Sequence, residues 1–272
     1  DRGLADVYAA EHARQKEYLG AYTTALPDDA YCDNWLTDNG KKILEGFPQG
    51  EPWHLVVNFT GPHNPMDVTR TMRETVVDRK CPMPVANTKH DAVDLLRNRQ
   101  NYTAMIENLD RLCGELIDIV EQRGELDNTI IIYSADHGEM LGDFDRFGKN
   151  TWRHGSAHVP LIIAGPGVAE GVVTDALADL TDVTATILDY TGCDPLPDMS
   201  GCSLKGLLAG QTDIHRDVVR SALGEWKTVY DGRYKRVDGD GESPLLFDRQ
   251  TDLHEERNVA ASHPDILERL GQ

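Results

Sequence analysis

Residues 129–140 have the sequence TIIIYSADHGEM, in which an apolar run is followed by an acidic and a basic side chain, Asp136 and His137. The apolar, β-branched run 129–134 is typical of a strand buried on both faces. Asp136 and His137 follow it directly, and Gly138 allows a sharp turn. An isolated Asp-His pair is more often a turn carboxylate beside a solvated or core histidine, so the residues around the pair decide whether it is read as a metal site. At a strand end both side chains can face one ion, which predicts half of a divalent-cation site.

A long helix and a second strand flank this stretch. From Leu95 to Arg123 apolar residues recur at helical spacing, and Gly124 is placed to end the helix. Residues 159–164 (VPLIIA) repeat the buried-strand pattern, and residues 182–190 have helical spacing. This alternation predicts an α/β fold with a mainly parallel sheet flanked by helices.

The amino-terminal part continues the same alternation. Residues 35–47 have the spacing of an amphipathic helix, and residues 53–59 (WHLVVNF) have the pattern of a buried strand. Residues 60–89 are rich in proline and charge, which favours a loop over a site. We therefore expect part of the site to lie just after the strand 53–59.

The carboxy-terminal part has a different sequence pattern. After about residue 214 the chain shows short alternating segments separated by Asp-Gly and Gly-Asp turns, followed by a Ser-capped helical pattern at its end. These features predict a small antiparallel sheet plus a helix. We therefore expect two domains, residues 1–213 for the α/β part and residues 214–272 for a small α+β subdomain.

The composition excludes several classes of partner. The chain has 27 Lys and Arg against 46 Asp and Glu, a net charge of −19, which disfavours nucleic acid and anionic membranes. An acidic protein with an anionic substrate must gather positive charge locally. The sequence contains no apolar run of membrane-spanning length and does not begin with a signal peptide pattern, so we expect a soluble protein with no membrane partner.

The cysteines leave the compartment open. Five cysteines at irregular spacing, without a CxxC pair, argue against a zinc site and against a dense disulfide framework. A periplasmic or secreted location and a cytoplasmic one are therefore both compatible with the sequence. The oligomeric state is equally open.

Two basic residues are further candidates for the site. Lys149 follows Phe-Gly, and its amine could offer a point charge and three donors to an oxyanion. His63 lies in a Pro-His-Asn-Pro segment just after the predicted strand 53–59. Taken alone, a loop lysine is usually solvated and a histidine in such a loop is more often structural. Only a wider pattern gives them a role.

That wider pattern is a family resemblance. Residues 134–167 resemble the sulfatase signature in which S-D-H-G-E-x-L-G-D is followed by G-K and then V-P-L-I-I-x-G-P-G. Residues 61–65 resemble its K-P-H-x-P segment, residues 180–189 its D-L-x-P-T-L-L-D helix, and residues 246–259 its closing L-Y-D-x-x-x-D-P-x-E-x-x-N-L. The chain is thereby identified as the carboxy-terminal part of a formylglycine-dependent, arylsulfatase-like sulfatase of the alkaline phosphatase superfamily. The resemblance implies that superfamily's α/β fold, here incomplete.

The resemblance also implies roles for individual residues. It implies that Asp136 and His137 ligate a divalent cation, calcium in most sulfatases, with Mg or Mn as alternatives. It implies that Lys149 and His63 contact the sulfate group or protonate the departing oxygen, and it leaves open which of them is the acid. His154 and His158 stand where the family has a Glu and an Arg or His, so they are candidates for contacts around the site or with substrate. The implied substrate is a sulfated small molecule or glycan.

The nucleophile of this family is missing from the chain. No cysteine lies in a C-x-P-S-R motif, the source of formylglycine, and the Asp-Asp pair that supplies further metal ligands is absent as well. All missing parts belong to the family's amino-terminal half. We therefore expect the 272 residues to be a fragment, or one chain of a nicked enzyme whose amino-terminal portion is a separate chain, and to be inactive alone.

Three alternatives remain open from the sequence. A phosphonate or phosphate ester hydrolase of the same superfamily would suit the same residues, since both substrates are tetrahedral anions. A non-catalytic module that binds sulfated ligands could retain the fold. A degenerate homologue would lack the nucleophile without being a fragment.

Overall fold

A computed structural model of the protein describes residues 3–14 and 20–272. The chain forms two compact units, residues 1–129 with 139–148, and residues 130–138 with 149–272. Within the described ranges no helix has the length and apolar character needed to cross a membrane. The predicted boundary between residues 213 and 214 lies inside the second unit and stays a prediction.

The first unit is mainly helical and contains one parallel strand pair. Its elements are α1 (Ala5–Arg14), β1 (Ala21–Thr23), α2 (Cys32–Gly46), β2 (Met66–Val68), α3 (Arg70–Val76) and α4 (Ala92–Gln122). The side chain of Asp91 caps the start of α4 by accepting a hydrogen bond from the backbone N–H of Val93. The helix ends before Gly124, which adopts a φ of 70°. The long helix predicted from Leu95 to Arg123 is therefore confirmed.

The core of the first unit lies between β2, α3 and α4. Met66, Val68 and Val76 are fully buried and pack with Met105. The prediction that residues 60–89 form only a loop over a site is therefore wrong. Their few apolar side chains recur at spacings that bury one face of a short strand and a short helix, although prolines and charges surround them.

The predicted strand 53–59 pairs with no strand among the described residues. Its side chains alternate instead between half-buried and exposed positions, with Val56 63% exposed and Val57 close to Gly40. An apolar run supplies side chains for a core, whereas a strand also needs a neighbouring backbone to complete its hydrogen-bond ladder.

The second unit contains a short strand pair followed by a larger sheet. Its elements are β3 (Ile131–Ser134), α5 (His154–Ala157), β4 (Leu161–Ala164), α6 (Leu180–Thr191), α7 (Lys205–Leu208), β5 (Val219–Leu223), β6 (Trp226–Tyr230), β7 (Tyr234–Asp238), β8 (Leu245–Asp248) and α8 (Pro264–Arg269). Strands β5 to β8 form an antiparallel sheet in sequence order. The small carboxy-terminal antiparallel sheet with its helix is confirmed.

Strands β3 and β4 pair antiparallel, with Ile131 opposite Ala164. The sequence predicts parallel strands buried on both faces, but β3 is only half-buried and Ile162 on β4 is 62% exposed. A parallel connection usually needs a crossover helix, and α5 has only four residues. The α/β class is confirmed, and its parallel component is the β1–β2 ladder of the first unit.

Candidate functional site

Asp136 and His137 lie directly after β3, where the sequence predicts them. The backbone N–H of His137 donates to Asp136 Oδ1 at 2.9 Å, and His137 Nε2 lies 3.4 Å from Asp136 Oδ2. His137 Nδ1 lies 2.9 Å from the carbonyl oxygen of Gly138, which can only accept, so Nδ1 carries the proton. In the neutral ring Nε2 then keeps its lone pair on the carboxylate side, the arrangement found in metal-binding histidines.

Gly138 fixes this turn against α5. Its backbone N–H donates to the carbonyl of Ser156 at 2.8 Å, and a Cβ at this position would lie 2.1 Å from the carbonyl oxygen of Gly155. Only a residue without a side chain permits that approach. The structure thus brings the Asp136–His137 turn beside the short helix that begins at His154.

The Asp136–His137 pair fits part of a metal shell. A carboxylate and a neutral imidazole are ordinary ligands of divalent cations, and the side chain of Asp136 is 86% exposed, so it can reach an ion. Within residues 3–14 and 20–272, however, no group of three or more His, Cys, Asp or Glu side chains could hold a metal. The pair therefore supplies two ligands, and an ion would need more from elsewhere.

His154 and His158 stack on each other, with ring centroids 4.4 Å apart and planes 25° from parallel. Burial, followed by the nearby charge of Arg249, lowers the pKa of His154 to about 3. The same two causes lower the pKa of His158. Both rings are therefore neutral at physiological pH, and neither adds a fixed positive charge.

The other predicted residues lie in separate parts of the chain. Lys149 belongs to the second unit, directly after Gly148, and is half-buried. His63 belongs to the first unit and is exposed, with its Nδ1 2.8 Å from the carbonyl oxygen of Asn64. Their contacts with sulfate and their proton-transfer role stay predictions.

Sequence reasoning missed the residue that shapes the His63 segment. Asp33, buried on α2, accepts hydrogen bonds from the backbone N–H groups of Thr60 and Gly61 and from the Thr60 hydroxyl. A Cβ on Gly61 would lie 2.5 Å from Asp33 Oδ2. The partners are 27 residues apart, so no local pattern identifies them.

Glu139, the glutamate of the sulfatase-like signature, has a structural role. Glu139 Oε1 accepts from the backbone N–H of Gly148 at 2.5 Å and of Leu141 at 3.1 Å, which closes the segment 139–148 on itself. Arg99 on α4 holds the same segment by donating to the carbonyl of Leu141 and to Asp143. These side chains stabilise a loop of the first unit.

The sequence is similar to known sulfatases. The family model described as Sulfatase matches residues 2–193. A choline-sulfatase of Rhizobium meliloti is 31% identical over 238 residues, which cover 77% of this chain and 46% of that protein. Human arylsulfatase K is 34% identical over 192 residues, 64% of this chain and 35% of that protein.

Solved structures share the fold at lower identity. A phosphonate monoester hydrolase from Silicibacter pomeroyi superposes with a TM-score of 0.83 at 23% identity, over 98% of this chain and 67% of its own. A protein in complex with its substrate D-glucosamine-2-N,6-O-disulfate gives 0.82 at 19% identity, over 89% and 68%.

The chain spans between about a third and a half of the length of the curated relatives it matches. Even so, the family model extends over well more than half of the 272 residues, and it includes β3, the Asp136–His137 turn and β4. The chain therefore belongs to the sulfatase family, within the alkaline phosphatase superfamily.

Proposed function

We propose that the full-length protein containing this chain hydrolyses sulfate monoesters of small molecules or glycans. The observation that carries the proposal is the Asp136–His137 pair, held by Gly138 with His137 Nε2 3.4 Å from Asp136 Oδ2 and its Nδ1 beside the Gly138 carbonyl. Membership of the sulfatase family and the similarity to choline-sulfatase and arylsulfatases support the reaction class.

In this proposal Asp136 and His137 hold a divalent cation, with calcium as the first choice and Mg or Mn as alternatives. Calcium prefers oxygen ligands, so the ion would take further carboxylate or carbonyl oxygens from outside this pair. Such an ion offsets the negative charge of a bound sulfate ester. The formylglycine nucleophile would come from a part of the protein outside these 272 residues.

Lys149 and His63 are proposed to act on the sulfate oxygens. As the S–O bond of a sulfate monoester breaks, negative charge develops on the bridging oxygen, so a cation or a donor aimed there lowers the barrier. Lys149 would supply a point charge with several donors, and His63 a donor that can also transfer a proton. One of the two protonates the leaving alcohol.

His154 and His158 are proposed to border the same site as neutral groups. Because their rings are uncharged, they can offer hydrogen bonds to a substrate hydroxyl without adding attraction for sulfate. They lie beside the Asp136–His137 turn through the Gly138–Ser156 hydrogen bond. That placement favours contacts with the alcohol part of the substrate.

A second candidate is a phosphonate or phosphate ester hydrolase. This candidate is supported by the superposition on the phosphonate monoester hydrolase from Silicibacter pomeroyi, because the two folds agree over nearly the whole chain. Both substrate classes present a tetrahedral anion to the same residues. Substrate preference therefore separates the two functions better than the fold does.

The test compares esters of one aryl alcohol. Turnover of the aryl sulfate, aryl phosphate and aryl phosphonate is measured with the full-length protein and with the 272-residue chain alone. We expect the full-length protein to prefer the sulfate and the chain alone to be inactive on all three. A preference for the phosphonate or phosphate would replace the proposed reaction, and an inactive full-length protein that still binds sulfated glycans would favour a binding module.

A further inference from the structure

A buried ion pair contacts the residues at the start of α5 in the second unit. Lys235 on β7 is 6% exposed and Glu255 is 1% exposed, and the lysine Nζ lies 2.8 Å from Glu255 Oε1. Moving two charges out of water is costly, and a buried pair often adds little net stability. Such a pair is therefore poorly explained by stability alone.

The other hydrogen bonds of the two side chains go to one short segment, residues 152–154. Glu255 Oε2 accepts from the backbone N–H of His154 at 3.0 Å, and the Glu255 carbonyl accepts from Arg153 Nη1 at 3.0 Å. Lys235 Nζ also donates to the carbonyl of Trp152. Three consecutive residues that precede or begin α5 are thus tied to the pair.

Trp152 anchors the same segment in the carboxy-terminal sheet. Its side chain is buried, its ring stacks on Phe247 with centroids 5.1 Å apart, and its Nε1 donates to Asp240 at 2.6 Å. The segment between Lys149 and His158 is therefore fixed from the sheet side. Its other side receives the hydrogen bond from Gly138.

The backbone of Glu255 is itself strained. Its φ is 59°, in the left-handed region that non-glycine residues rarely adopt. Strain of this kind persists only where surrounding contacts hold it. At Glu255 this backbone strain occurs together with a buried charge and with hydrogen bonds to Arg153 and His154 at the start of α5.

From these contacts we propose that Glu255, paired with Lys235, is a positioning residue for the sulfatase site. It fixes the backbone at His154, and through α5 it sets the place of the Asp136–His137 turn and of the stacked histidines. This inference rests on the proposed function and deepens it, because it assigns a role in that site to the carboxy-terminal sheet. Glu255 does not touch the reacting atoms and acts through the segment that it holds.

The carboxylate of Glu255 balances more than one positive charge. Arg249 Nη1 lies 3.6 Å from the same carboxylate, so Glu255 faces two cations, Lys235 and Arg249. Removing the carboxylate would leave those cations partly uncompensated inside the unit. A glutamine would keep one acceptor for the His154 N–H, but its NH2 group would face Lys235, so it would lose the charge and the acceptor for the lysine.

The test uses three variants of the full-length protein and one matched control. Glu255→Ala removes the acceptor, Glu255→Gln keeps it, and Lys235→Met removes the partner. The control is Asp182→Asn, which alters another buried carboxylate of this unit, one that pairs with Arg216 and accepts the backbone N–H of Cys202. Each variant is measured for thermal stability, for kcat and KM on an aryl sulfate, and for amide hydrogen exchange.

We expect Glu255→Ala to lower kcat at least tenfold while KM changes less, because the reacting geometry rather than substrate affinity is disturbed. Exchange of the His154 and Gly138 amides should accelerate at least tenfold, while amides of the β6–β7 ladder keep their protection. Lys235→Met should follow the same pattern. Glu255→Gln should recover part of the lost kcat because it keeps an acceptor for the His154 N–H, and Asp182→Asn should lose stability with kcat within about twofold of wild type.

Two outcomes overturn the positioning role. One is unchanged exchange at His154 in Glu255→Ala, and the other is a kcat of Glu255→Ala that stays within about twofold of wild type despite a loss of stability, as expected for the control. A full-length protein without sulfatase turnover would overturn the proposed function instead. In that case the exchange data still decide whether Glu255 holds α5 and the Asp136–His137 turn.

Discussion

At the scale of single residues, burial and charge set the behaviour of the stacked histidines. His154 is held neutral mainly because it is partly buried, and Arg249 adds to the effect. Its pKa of about 3 lies below the value near 6.5 of an unfolded histidine. Between those values the unfolded chain binds a proton that the folded chain excludes, so stability from this residue is lost as the pH falls through that window.

This difference predicts the pH dependence of His154→Gln. As the pH falls from 6.5 to 4, the variant should lose less unfolding free energy than wild type, by about 1 kcal/mol after solvent screening of a partly exposed ring. Denaturant unfolding at a series of pH values measures this loss. In the wild-type chain the His154 Cε1–H NMR signal should not titrate above pH 5, and a midpoint near 6.5 would contradict the explanation.

At the scale of elements, the contact between the Asp136–His137 turn and α5 depends on one glycine. Gly138→Ala would place a Cβ against the Gly155 carbonyl, and backbone atoms cannot yield as a flexible side chain does. We expect a lower melting temperature and a kcat at least tenfold lower in the full-length protein. Gly114→Ala is the matched control, because a Cβ there meets no atom within 4 Å and alanine favours a helix. Equal effects of the two substitutions would refute a special role for Gly138.

The elements also show what the sequence could predict. The course of α4 and the position of β3 followed from local spacing, because helical periodicity and a β-branched run are properties of consecutive residues. The Asp136–His137 turn followed from its place after that strand. The contact of Glu255 with His154 joins residues 101 positions apart, and Asp33 reaches Thr60 across 27, so no local pattern could reveal them.

Strand pairing was predicted less well for the same reason. The apolar run 53–59 has the composition of a strand, yet it pairs with no strand in the described part of the chain. Likewise β3 and β4 pair antiparallel, although their patterns suit parallel neighbours. Pairing direction depends on which backbone lies alongside, which side-chain patterns specify weakly.

At the scale of the whole molecule, the acidic chain keeps a local excess of positive charge. The net charge is −19, but in the second unit Lys235 and Arg249 face the carboxylate of Glu255, and Arg153 donates to its backbone carbonyl. The expectation that an acidic protein with an anionic substrate gathers cations at its site stays a prediction. The neutral histidines beside them leave that local charge unaffected by pH near neutrality.

The central claim is that Asp136 and His137 hold a cation on which sulfate ester hydrolysis depends. Its most direct test is aryl-sulfate turnover by full-length wild type, Asp136→Asn and the exposed control Asp194→Asn, each after chelation and again after calcium is added. We expect calcium to restore wild type and the control, while Asp136→Asn stays about a hundredfold lower. Full turnover by Asp136→Asn, or chelation without effect on wild type, would contradict the claim.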